Sequence, residues 1–205
     1  MSQVVRVYYR RGNNWSLAIN TNPNMLLALY LRDLGGIDPS EVGPNSALAP
    51  AVKARGQRQV APGQIKQEWS SWWDSLITRE PTTDTDPMDL LADLGAGCYP
   101  ELAKLAHAHY GQATMFAHQH REKFSEQSKD YIPARMDEVE RILIDHGVEH
   151  AQDVKETQIH VIDIPLTEPR AWLIGGATIV ASTSLLRDGR AFHGYIQPMV
   201  TIIFP

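Results

Sequence analysis

Apolar and polar positions alternate at the two ends of this chain, whereas a 3.6-residue rhythm runs through its middle. At the start, Val5, Val7 and Tyr9 alternate with Val4, Arg6 and Tyr8, which predicts a strand. Arg11-Gly12-Asn13-Asn14 is turn chemistry, because Gly and Asn tolerate positive φ, and Trp15 to Asn20 returns as a second strand. A helix is predicted from Met25 to Leu34, with Asn24 as N-cap and Gly35-Gly36 as its stop. Residues 37–63 carry Pro39, Pro44, Pro50 and Pro62 with Gly43, Gly56 and Gly63, and read as a long loop or linker.

Residues 64–147 read as helical. Ile65, Trp69, Trp72, Trp73 and Leu76 share helical spacing, and Pro81 stops that helix. A short helix opens at Asp86-Pro87 and ends at Gly95. Pro100 opens a long one to about Glu126, and Pro133 opens another that Gly147 closes. Residues 157–205 read as β-rich. Thr157 to Ile164 is β-branched and apolar, and Ala171–Ile174 and Ala177–Val180 flank Gly175-Gly176 as a tight hairpin would. Thr183 to Asp188 reads as a helical turn capped by Ser182, and Met199 to Phe204 as a last strand that Pro198 places at a sheet edge.

These elements predict an α+β fold. A mainly antiparallel C-terminal sheet packs against the central helical layer, and an N-terminal β-hairpin joins it or forms a small lobe. The expected divisions are a hairpin-plus-helix over 1–36, a linker over 37–63 and a main region over 64–205, with one domain overall also consistent with 205 residues.

Charge narrows the partners. The formal net charge is −5, divided as +4 over residues 1–60 and −9 over the remainder. An acidic protein repels nucleic acid and anionic membrane surfaces. Tyr8, Tyr9, Arg10, Arg11 and Trp15 mix aromatic and basic residues as single-strand binders do, but a hairpin with a charged turn accounts for them. A single cysteine, no signal-peptide pattern and no long apolar run lead to the expectation of a soluble, cytoplasmic protein.

The chemistry-bearing residues are few. Cys98 lies just before the helix opened by Pro100, where the macrodipole and free N–H groups favour a thiolate. His160 on a later strand is its candidate base. A cysteine at a helix start followed by a histidine on a strand resembles the layout of papain-like cysteine hydrolases, in layout alone, since the flanking residues carry no papain signature. Asp163, three residues beyond His160 on a strand, points to the other face and cannot orient it. His107, His109, His118 and His120 share a helix, but each close pair is two residues apart and so splits between faces. His118 with Glu122 has ligand spacing without further ligands. His146 and His150 are separated by Gly147, and Asp84, Asp86 and Asp89 lack a calcium-loop pattern. No metal and no cofactor is therefore expected, and the glycine pairs fit no nucleotide fingerprint. Trp69, Trp72 and Trp73 present three amphipathic rings on one helix face, as core or as a partner or ligand surface. The favoured function is a non-enzymatic interaction or ligand-binding protein, a homo-oligomer or bound to a protein partner. The alternative is a hydrolase or transferase using Cys98 and His160.

Overall fold

The computed structural model describes residues 8–12, 15–54, 62–78, 94, 99–148 and 157–205. In chain order its elements are β1 (Tyr8–Arg11), β2 (Trp15–Thr21), α1 (Pro23–Leu34), α2 (Pro62–Thr78), α3 (Pro100–Gln127), α4 (Ile132–Asp145), β3 (Thr157–Ile164), β4 (Ala171–Leu173), β5 (Thr178–Ser182), α5 (Thr183–Arg187) and α6 (Gly189–Ile203). Single 3₁₀ turns occupy Pro39–Glu41 and Ser128–Asp130. The chain divides into two compact units. One comprises residues 1–21, 122–164 and 168–205, and the other 22–121 and 165–167.

The first unit holds a five-stranded sheet in the order β1-β2-β3-β5-β4. Both expected hairpins are present, β1 with β2 and β4 with β5, each antiparallel. The sheet is nevertheless mixed, a correction to the mainly antiparallel reading. β2 pairs with β3 in parallel from Trp15↔Thr157 to Thr21↔Asp163, and β3 pairs with β5 in parallel. Central parallel strands are covered on both faces, so even polar residues on them, such as Ser16, Asn20, Asp163 and Ser182, are buried. All of β2 and β5 are accordingly buried, as is β3 from Val161 to Ile164. On one face Trp15, Leu17, Ile19, Ile159, Val161 and Ile179 pack with Met136, Val139 and Leu143 of α4 and with Phe192, Ile196 and Val200 of α6.

Where a last strand is expected over Met199–Phe204, the chain is the end of α6, a second correction. Val200, Thr201, Ile202 and Ile203 favour strand individually. Phe192, Ile196 and Val200 recur at helical spacing, and burial of that stripe outweighs the propensities. Asp188 caps the helix, its carboxylate accepting from the N–H groups of Arg190 and Ala191 at 3.1 Å each. At Gly189, the first position, a Cβ would lie 2.4 Å from Nη1 of Arg135, so a side chain there would displace that guanidinium.

In the second unit α1 begins two residues earlier than expected. Asn22, not Asn24, is the N-cap, its side chain accepting from the N–H groups of Asn24 and Met25, with Pro23 at N1. Gly36 takes the left-handed conformation at φ 68°, closing the helix as its sequence implies. Arg32 is fully buried. Its guanidinium donates to Asp33 at 2.7 Å and to the carbonyls of Pro44 and Ser46 at 2.6 and 2.8 Å, and Asp33 accepts from the N–H of Leu48. These bonds tie the 44–48 stretch to α1. Among the described residues no helix is long and apolar enough to cross a membrane.

Candidate functional site

The three tryptophans of α2 are packed inward. Trp69, Trp72 and Trp73 are 0%, 2% and 5% exposed. The Trp69 indole donates to the carbonyl of Ala28 at 2.7 Å and stacks on Trp73 with centroids 5.3 Å apart. Their spacing on one face is that of a core stripe.

Cys98 lies outside the described residues, as do Asp84, Asp86, Asp89 and His150. The helix start beside Cys98 is described, and its donors are spent. Pro100 has no N–H. Those of Glu101 and Leu102 both donate to the Glu68 carboxylate at 2.9 Å, and that of Ala103 donates to the carbonyl of Tyr99 at 2.8 Å. A helix start offers about four unpaired N–H groups. Here the Glu68 carboxylate accepts two of them. His160 is half-buried on β3, aligned with Ala18 and Thr178 of the neighbouring strands. Asp163, on the opposite face, accepts from the Thr183 hydroxyl at 2.8 Å.

Asp163 anchors a polar group at the carboxyl end of the parallel strands, a position where α/β sheets often bind ligands. Thr183 also donates to the carbonyl of Ile164. Burial pushes the Tyr131 phenol above its ordinary range, the negative charge of Asp163 adds to the rise, and Arg187 opposes it. Arg187 lies 5.6 Å from the centre of the Tyr131 ring. Asp163 and Ser182 are both 0% exposed. The group faces inward and ties β3 to the start of α5. Among the described residues no set of three or more His, Cys, Asp or Glu side chains is grouped to hold a metal ion.

Two of the exposed large hydrophobics among the described residues, Tyr195 and Ile202, lie on α6, and Tyr9, Met115 and Ile144 are exposed singly elsewhere. Each residue advances a helix by about 100°. Phe192, Ile196 and Val200 face the core. A second stripe, Ala191, Tyr195, Pro198 and Ile202, follows 4-3-4 spacing on one outer flank. Tyr195 is 37% and Ile202 66% exposed and Pro198 is exposed, while Ala191 at the start of the stripe is half-buried and also packs against the core. The contacts to α4, from His193 to Glu138 at 2.6 Å and from His146 to the Phe204 carbonyl, leave from the opposite flank. From Ala191 to Pro205 there is no Asp, Glu, Lys or Arg. Spacing of this kind is the seam of a coiled coil, where side chains of one helix enter the gaps of another. Sequence reasoning missed the stripe because Met199–Phe204 read as a strand. The signal present was Asp188-Gly189 followed by two interleaved apolar stripes.

No protein-family model matches the chain, and neither a characterised protein nor a solved structure does.

Proposed function

We propose that the protein is a non-enzymatic interaction protein and that the outer stripe of α6 is its docking face. The observation that carries this reading is Ile202, 66% exposed at the end of a second 4-3-4 apolar stripe that has no charged neighbour on its own helix from Ala191 onward. Water disfavours such a stripe, and a partner helix removes it from water. This reading is preferred to the alternative through Cys98 and His160 because the Glu68 carboxylate already accepts from the N–H groups of Glu101 and Leu102 at that helix start. A reducing, cytoplasmic setting belongs to the same reading and rests on the single cysteine.

Nile red, a neutral apolar probe, tests the face without assuming a partner. Dilute native protein is expected to enhance its fluorescence, and Ile202→Glu, with an unchanged circular dichroism spectrum, is expected to abolish most of that enhancement. Equal signals from the two proteins would remove the docking face.

A further inference from the structure

We infer that the occupant of the α6 stripe is a second copy of this chain, its α6 lying antiparallel across a two-fold axis; this rests on the docking reading above. The order of sizes along the stripe carries the argument. It runs small, large, small, large, as Ala191, Tyr195, Pro198, Ile202. Reversed, it runs large, small, large, small. An antiparallel copy centred between Ile196 and Gln197 therefore sets Ala191 opposite Ile202 of the second copy and Tyr195 opposite its Pro198, twice over by symmetry. Each layer then pairs a large side chain with a small one, the arrangement that fills space at a helix seam. A parallel copy would stack Tyr195 on Tyr195 and Ala191 on Ala191, crowding one layer and leaving the next empty.

Charge points the same way. Two copies at −5 each repel, and a two-fold axis brings every charge near its own image. The stripe escapes this penalty, since its helix carries no formal charge after Arg190. Three turns of one helix bury less than the ~800 Å² per partner of a standard interface, so the dimer is expected to dissociate in the micromolar range.

The test is sedimentation velocity on the full chain from ~1 to ~500 µM, for the native protein, Ala191→Lys, Ile202→Glu and the double variant. The native protein is expected to pass from monomer to dimer. Each single variant sets a charge against an apolar partner and is expected to weaken the dimer at least ~100-fold. The double variant sets lysine against glutamate at both ends and is expected to return to within ~10-fold of native. Tyr195→Glu with Pro198→Lys repeats the design at the central layers, in case Ala191→Lys perturbs the fold. Single variants that dissociate without rescue by either double would overturn the antiparallel pairing and leave the docking face standing. A native protein that stays monomeric while keeping its Ile202-dependent Nile red signal would overturn the second copy alone. Loss of both signals would remove the face itself.

Discussion

Gly111 stands in the interior of α3, exposed, and a Cβ built on it meets nothing within 4 Å. Glycine there costs helix stability without serving a turn or a close contact. Gly111→Ala is expected to raise the unfolding free energy by about 0.5–1 kcal/mol, read as a higher urea midpoint at unchanged slope. Gly189 differs, because a side chain there would have to displace the Arg135 guanidinium. At this scale the sequence is legible where local chemistry decides. Ser182 does cap α5, its Oγ accepting from the N–H of Leu185 at 3.1 Å, and Gly35-Gly36 do end α1. It is not legible where exposure decides. The spacing of Trp69, Trp72 and Trp73 defines a face, but only tertiary packing says that the face is covered.

Among the elements, α3 depends on a residue 32 positions before its first, since Glu68 supplies the cap that its own sequence lacks. Glu68→Ala is expected to cost about 1–3 kcal/mol, because two buried N–H groups lose a charged acceptor. Hydrogen exchange at Glu101 and Leu102 is expected to speed up in that variant, while the far end of α3 keeps its native rate. A cap donated from another helix leaves no local signature, so Pro100 announced the helix while Cys98 drew attention from its actual partner. The last helix failed for a related reason. β-Branched residues and Pro198 argued for a strand, and the inner stripe of Phe192, Ile196 and Val200 overrode them through packing that no local rule contains.

For the whole molecule, both hairpins were readable because each joins neighbours through a short turn. The parallel alignment of Trp15 with Thr157 was not, since it joins residues separated by most of the chain. Half-buried Tyr131 feels the charge of Asp163, and stability then depends on alkaline pH. The Tyr131 phenol is raised above its ordinary value of 10.0. Above about pH 10 the unfolded chain releases that proton while the folded chain retains it. Fewer protons bound to the unfolded state means that stability falls as pH rises. Below that range the contribution is complete. Urea midpoints across the alkaline range are expected to fall in the native protein, and to fall less in Tyr131→Phe, the difference isolating this phenol from the other tyrosines.

The β2–β3 alignment also sets a schedule for synthesis. β2 is made early and β3 only after some 140 further residues, roughly seven to thirty seconds of translation at ~5–20 residues per second. The stretch between them, 22–121, supplies nearly all of its own compact unit and can mature meanwhile. Leu17 and Ile19 can pair with β1 during that interval, but not with Ile159 and Val161 of β3. The nascent chain must carry one edge of β2, the edge away from β1, unpaired until β3 emerges.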